Sequence, residues 1–203
     1  MNRWLIVLIS CLSVISAFSQ DDWDSKYGPG TMPFDDKGNV VFSKVIQAEG
    51  LFKDDLYDRC KMCIVEIFNS ANDVVQLDDK QAGILMVKGF SKQSSDDVLG
   101  MQSSGQIWFT LKIECRDERY KITMHQIRCR NNSKYIGNGI TLPEVNFGAE
   151  ELTDDVCLNR KGRVKTAGDG FWRRLVIDCA TETFAGIEEY IRSVQVSNES
   201  DNW

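Results

Sequence analysis

The clearest hydrophobic pattern lies between Gln106 and Arg130, where apolar and polar residues alternate along two neighbouring segments. In 106–116 the apolar positions are Ile107, Phe109, Leu111, Ile113 and Cys115. This period of two is typical of a strand with one buried face. The segment 119–130 continues the pattern, and Asp117-Glu118 between them has the length of a tight turn. The alternation therefore predicts a β-hairpin at the centre of the fold.

A two-residue turn also fixes which residues face each other. It pairs Cys115 with Tyr120, Ile113 with Ile122, Leu111 with Met124, and Glu114 with Lys121. The first three pairs share one apolar face, and the fourth is a favourable charge pair on the other face. A slip of one residue would move every side chain to the wrong face, so the sequence specifies this register strongly.

The same register places one apolar pair on the face where polar residues are expected. Trp108 lies opposite Ile127 there, and His125 faces Thr110. Either the segment 131–170 covers the apolar pair, which we favour, or the pair is a docking surface. Because no nucleophile motif accompanies His125, the only histidine, we interpret it as a surface residue rather than a general base.

Strands and helices are also indicated on both sides of the hairpin. Strands are predicted over 40–47, 74–77 and 84–90, and a polar, Ser-rich mobile loop over 92–105. A first helix follows the first strand, with Asp54 and Asp55 in its first turn. Its apolar stripe consists of Leu56, Cys60, Cys63, Ile64 and Ile67. A last helix over 171–194 has as its inner side Trp172, Val176, Cys179, Ile187, Ile191 and Val194.

The order of these elements predicts the fold class and the domain organisation. Strand, helix, four strands and helix (β-α-β-β-β-β-α) predict an α+β protein, in which two helices cover one face of a curved antiparallel sheet. We expect a single domain over 40–195, preceded by a flexible N-terminal arm over 20–39 and followed by a tail over 196–203. Its insert, 131–170, is too long to lack structure, so short strands or turns should pack on the sheet.

The first 19 residues resemble a signal peptide. Arg3 precedes an apolar run over 4–18, and Ala17-Phe18-Ser19 places small residues where a signal peptidase cleaves, before Gln20. The run is shorter than the about 20 residues that a transmembrane helix needs. We therefore expect export to the periplasm or beyond. A lipid anchor at Cys11 is the less favoured alternative, because the apolar run continues past it.

The charge balance restricts the possible partners. The formal net charge is −6, with 30 acidic against 24 basic residues, and no run of Lys and Arg is visible in the sequence. An acidic protein repels nucleic acids and anionic membranes over its average surface. We therefore expect no nucleic-acid partner.

Cysteine is the remaining candidate for chemistry. Cys60 and Cys63 form a C-x-x-C spacing that suggests thiol–disulfide exchange in an oxidising compartment. They lie on the apolar stripe of the first helix, so we favour buried core cysteines. A disulfide from either to Cys179 stays open, since six cysteines allow 15 pairings. No second C-x-x-C, histidine pair or P-loop points to a metal or cofactor.

Five segments resemble a known family of exported bacterial proteins, a domain of unknown function with a TATA-binding-protein-like fold. They are 41–47, Gly50-Leu51-Phe52-Lys53-Asp54-Asp55-Leu56-Tyr57, 74–78, 83–89 and 120–126. The chain departs from the family pattern at Cys63, where a bulky aromatic residue is expected, and in its long insert. The resemblance implies this fold and an envelope or secreted location. It implies no catalytic residues, and the DNA binding of the fold's namesake does not transfer.

Three functions are compatible with these features. We favour a non-enzymatic module that binds a protein partner or a small ligand through its sheet, with Trp108, Ile127 and His125 as candidate binding residues. The alternatives are a thiol–disulfide enzyme using Cys60 and Cys63, and a helix-grip carrier with an apolar cavity under the last helix.

Overall fold

Most of the strands lie between two long helices in the sequence. The computed structural model describes residues 25–68, 75–96, 102–131, 134–137, 140–142 and 144–200. The strands are β1 (Phe42–Gln47), β2 (Val75–Asp79), β3 (Ile84–Asp96), β4 (Gln102–Arg116), β5 (Arg119–Asn131), β6 (Lys134–Gly137), β7 (Ile140–Leu142) and β8 (Val145–Gly148). The helices are α1 (Lys53–Phe68), the short α2 (Asp154–Cys157) and α3 (Asp169–Ser200), and Ala149–Glu151 forms a 3-10 turn.

The predicted hairpin is the centre of an antiparallel sheet with the strand order β1-β5-β4-β3-β2. β5 also pairs with β8 at its far end, beyond the residues that pair with β1. Between β4 and β5, Cys115 faces Tyr120, Ile113 faces Ile122, Leu111 faces Met124, and Glu114 faces Lys121. The predicted register is therefore confirmed over this part of the hairpin.

Both long helices pack on the same face of the sheet. Cys60 of α1 lies against Cys115 of β4, with 3.8 Å between the sulfur atoms. Trp172 of α3 packs so closely on Gly105 of β4 that a Cβ atom there would lie 2.4 Å from its ring. Because Gly105 and Cys115 are an even number of residues apart along one strand, both contacts are on one face. This confirms the predicted two-layer α+β fold.

The apolar stripes of the two helices form the core as predicted, with one exception. Leu56, Cys60, Cys63 and Ile64 of α1 are buried, and so are Trp172, Val176, Cys179, Ile187 and Ile191 of α3. Ile67 is 42% exposed, so its assignment to the stripe is wrong. The side chain of Val194 lies outside the described residues.

The N-terminal segment is attached firmly where we expected a flexible arm. In the described part, 25–39, Tyr27 and Met32 are buried. A fully buried side chain of α3, Arg173, holds this segment. Its guanidinium donates to the carbonyl oxygens of Tyr27 (3.0 Å), Leu152 (3.1 Å) and Gly28 (2.8 Å), to Thr31 Oγ1 (3.2 Å), and to Asp154 Oδ1 (2.8 Å).

Two further boundaries differ from those predicted. The expected loop over 92–105 is largely strand, because β3 and β4 continue to pair as far as Asp96 and Gln102. Serine and glutamine still have backbone groups that can join a sheet, although their polarity suggested a loop. The last helix runs to Ser200, beyond the predicted start of the tail at 196. Within the described residues, neither long helix has the length and apolarity to span a membrane.

The insert over 131–170 contains short elements, as predicted. β6 pairs with β7, and β8 joins the edge of the main sheet beside β5. The 3-10 turn buries Ala149, and α2 buries Cys157 and packs on α3. The insert therefore widens the sheet and completes the core at the start of α3.

Candidate functional site

A β-bulge in β5 determines which residues reach the outer face, meaning the sheet face opposite the helices. Gln126 has a φ of 52°, a left-handed conformation that residues other than glycine rarely adopt. The register shifts at this point, so that Trp108 faces Arg128. The predicted pairing of Trp108 with Ile127 is wrong, because one extra residue reverses the alternation of the strand beyond it.

The bulge moves two apolar residues into the core and two arginines outwards. Ile127 is 1% exposed and Cys129 is completely buried, whereas Arg128 and Arg130 are exposed. Ile127 is therefore a core residue and not part of a docking surface. Bulges are common beside functional sites, where they redirect side chains, and this one makes the outer face more basic.

An aromatic pair remains on the outer face after this correction. The rings of Phe90 and Trp108 stack across β3 and β4, with centroids 4.7 Å apart and planes inclined by 28°. Phe90 is 39% exposed, and the half-buried Trp108 donates its indole N–H to Gln106 Oε1. β8 lies beside the sheet rather than over it, so this part of the insert does not provide the expected cover.

Basic side chains surround this aromatic pair. Along β3, β4 and β5 they occupy alternate positions, so the sequence shows no basic run although the fold collects them on one face. By the strand registers the outer face carries Lys88, Lys92, Lys112, Arg116, Arg119, Lys121, Arg128 and Arg130. Among the described side chains, the carboxylates here are Glu114, in an ion pair with Lys112, Asp79 of β2, and Glu144, which lies near Arg130. Basic residues thus outnumber acidic ones on the outer face, although the chain as a whole is acidic, with a formal net charge of −6.

A groove of about 420 Å³ lies on the outer face where β5 meets β8. It is lined by Lys88, Trp108, Phe109, Gln126, Arg128, Arg130 and Asn146. Arg128 donates from Nε and Nη2 to Asn146 Oδ1, at 3.3 and 3.0 Å. Arg130 lies 3.8 Å from Glu144, an exposed and hence weak ion pair. Three cations and an aromatic ring thus border one open groove.

His125 lies on the same face, but its surroundings do not favour acid–base chemistry. It faces Thr110 as predicted. The Thr110 hydroxyl is already hydrogen-bonded to Gln126 Oε1, at 2.8 Å. Burial, and to a smaller extent the charge of Lys112, lowers the pKa of His125. The imidazole is therefore neutral at pH 7 and contributes surface area to the outer face rather than charge.

The cysteine candidates are core residues. All six described cysteines are buried and unbridged. The thiol nearest to Cys60 in the recorded contacts is Cys115 of β4, not the Cys179 that we considered. The neighbouring Cys115 and burial raise the pKa of Cys60, and burial raises those of Cys63 and Cys179 to about 12. Thiols in such surroundings are protonated and inaccessible, which is the opposite of a redox-active pair.

We therefore predict that Cys60 and Cys63 do not react in the native protein. A pKa of about 12 for Cys63 leaves only a fraction on the order of 10⁻⁴ as thiolate at pH 8. Iodoacetamide at pH 8 should leave both residues unmodified without denaturant and label both in 6 M guanidinium. Peptide mass spectrometry reads out both reactions, and rapid native labelling of the pair would support the enzyme alternative instead.

Comparison with known proteins assigns the central part of the chain. Residues 42–130 match the model of "Domain of unknown function (DUF4468) with TBP-like fold". This segment is therefore similar to DUF4468 domains. The match covers β1 to β5 and includes the hairpin, the bulge and most of the outer face. No curated protein is significantly similar to the chain in sequence.

Two crystal structures share the fold of this segment and of much of the remaining chain. A DUF4468 family protein from Bacteroides ovatus is 22% identical, with a TM-score of 0.67, and the alignment covers 83% of this chain and 94% of that one. A TBP-like protein from Parabacteroides distasonis is 15% identical, with a TM-score of 0.57 and coverages of 79% and 97%. At these identities the comparisons establish the fold alone.

Sequence reasoning found Trp108 and His125 but missed the groove. The sequence pattern places Phe90 and Lys88 in a strand and Asn146 in the insert, and it indicates no role for them. Arg128 and Arg130 do give a sequence signal for the bulge. Uninterrupted alternation would place them on the same inner face as the apolar residues that precede them in the strand. On the inner face their charges would be buried in an apolar core, which is unfavourable. One extra residue before them turns both arginines to the outer face.

Proposed function

We propose that this protein is a non-enzymatic binding module whose outer face is the docking surface. The stack of the exposed Phe90 on the half-buried Trp108 supports this proposal most strongly. Clustered exposed aromatic side chains are unusual on a monomer surface, and aromatic anchors dominate the binding energy of interfaces. The long helices cover the other face of the sheet. A ligand on the outer face can therefore contact several strands at once.

The rigidity of the sheet adds to this proposal. Phe90 and Trp108 lie on adjacent central strands that pair continuously from Ile84 to Asp96. Side chains on paired strands are held in fixed relative positions, so little entropy is lost when a partner docks. Conversely, the burial of Cys60 and Cys63 removes the feature that suggested thiol–disulfide chemistry.

We also propose that the module acts after export, with cleavage before Gln20. The pattern of residues 1–19, which lie outside the described residues, supports this. The intact mass of the exported protein should correspond to a chain that begins at Gln20. A diacylated chain beginning at Cys11 would contradict this and support a lipid anchor.

A paired-variant capture experiment tests the docking surface. Phe90→Ala/Trp108→Ala should abolish partner capture by the immobilised full chain, because it removes both aromatic anchors. The matched control, Phe34→Ala/Phe52→Ala, removes two exposed aromatic side chains elsewhere (41% and 71% exposed) and should capture as the wild type does.

Stability has to be measured alongside capture. The loss of the aromatic pair should cost about 1–2 kcal/mol in the free energy of unfolding, and the control variant should stay within about 0.5 kcal/mol of the wild type. Capture that survives in Phe90→Ala/Trp108→Ala would show that the outer face is not the docking surface. Loss in both variants would contradict the proposal as well.

A further inference from the structure

We infer that the groove between Lys88 and Asn146 binds an extended, carboxylate-rich polypeptide segment. This inference rests on the proposed function, since it names the class of ligand for the same face. It is based on the hydrogen-bond donors and acceptors of the side chains that line the groove, and on how charge is distributed over the chain.

Among the described residues, the side chains that line the groove offer mainly hydrogen-bond donors. The side-chain oxygen of Gln126 already accepts from Thr110, and that of Asn146 accepts from Arg128. The amide nitrogens of these two residues have no recorded hydrogen bond within the described part of the chain. Lysine and arginine side chains have no acceptor atoms. A ligand rich in acceptors therefore suits this groove, and carboxylates match arginine best because they accept its paired N–H groups.

The cations of the groove are only weakly neutralised within the protein. Asn146, a neutral amide, orients the guanidinium of Arg128 towards the groove wall. The partner of Arg130 is Glu144, at 3.8 Å and more than half exposed. Lys88 has no ion pair recorded among the described residues. A carboxylate entering the groove thus adds a closer charge partner than the described residues provide.

The charge outside the outer face favours a short segment over a long polyanion. Basic residues predominate on the outer face although the whole chain has a formal net charge of −6, so the rest of the chain is strongly acidic. Electrostatic interactions extend about 8 Å at physiological salt. A few residues lying in the groove interact mainly with the outer face, whereas a nucleic-acid duplex would also approach the acidic surface around it. The volume of about 420 Å³ accommodates a few side chains, and Trp108 can contact an apolar one between carboxylates.

Fluorescence anisotropy of a labelled acidic peptide tests this inference on the full chain. The probe is a peptide of ten glutamates interrupted by one central phenylalanine. Arg128→Glu/Arg130→Glu should weaken binding at least about tenfold, since like charges then face the ligand. Arg160→Glu/Lys161→Glu, in an exposed turn away from the groove, brings the chain to the same formal charge of −10 and should bind as the wild type does, within about twofold.

Further variants and probes separate the possible outcomes. Arg128→Gln/Arg130→Gln should bind with an intermediate affinity, which guards against misfolding of the charge-reversed variant. If the groove variant and the matched control lose the same affinity for the acidic peptide, the effect comes from overall charge, and the inference is overturned. No binding of the acidic peptide, or tighter binding of duplex DNA or a sulfated polysaccharide, would overturn it too. If partner capture still depends on Phe90 and Trp108 in that case, the docking surface stands and only the ligand class is wrong.

Discussion

Replacement of Arg173 by methionine should lower the free energy of unfolding by about 3–5 kcal/mol. Arg173 is completely buried, and its guanidinium joins α3 to the N-terminal segment and to the start of α2. Methionine fills much of the space but donates no hydrogen bond. The carbonyl oxygens of Tyr27, Gly28 and Leu152 then lose their partner in the interior, and each such loss costs about 1–3 kcal/mol unless water enters.

Urea unfolding followed by far-UV circular dichroism measures this loss. The control is Arg192→Met on the same helix, where an arginine that is 71% exposed pairs with Glu188. It should change stability by no more than about 0.5 kcal/mol, as expected for a surface ion pair. If Arg173→Met costs less than about 1 kcal/mol, the N-terminal segment is not held by this side chain.

Deletion of Gln126 should have the largest effect on the fold, with a loss of more than about 5 kcal/mol. Without the bulge, strand alternation turns Arg128 and Arg130 towards the helices and exposes Ile127 and Cys129. Burying one unpaired charge already costs several kcal/mol, and this deletion buries two. We expect the deleted chain to be unfolded or aggregated at 25 °C.

The variant Gln126→Gly separates the contribution of the bulge to stability from that of the glutamine side chain, because it keeps the extra residue and removes only the side chain. Glycine relieves the left-handed strain of about 1–2 kcal/mol but loses the hydrogen bond to Thr110, which is worth about 0.5–1.5 kcal/mol. Its stability should therefore lie within about 1 kcal/mol of the wild type in the same urea titration. A deleted chain that unfolds at the wild-type midpoint would show that the bulge does not set the register.

The fold was predictable because its signals are local and periodic. The hairpin register follows from alternation on both faces of 106–116 and 119–130, and the helices follow from their apolar stripes. The bulge had no such signal, since glutamine gives no indication of the positive φ at position 126. The sequence predicts that Trp108 faces Ile127 on the outer face. Because of the one extra residue at the bulge, Trp108 instead faces Arg128.

The attachment of the N-terminal segment was not predictable for a different reason. Arginine within a helix normally points to solvent, and the partners of Arg173 are mostly backbone carbonyls, which are the same in every sequence. Glycine and proline in 28–33 favoured a loose segment. The tertiary structure instead uses these residues to bring two carbonyl groups to one buried guanidinium.

The central claim is that the outer face binds the ligand, and amide chemical-shift mapping tests it most directly. The full ¹⁵N-labelled chain is titrated with the acidic peptide, and shifts are followed residue by residue. The largest shifts should cluster on β3, β4 and β5 around Lys88, Phe90, Trp108 and Arg128, and the exposed surfaces of α1 and α3 should be unaffected. Shifts confined to the helices, or spread evenly over the surface, would contradict the claim.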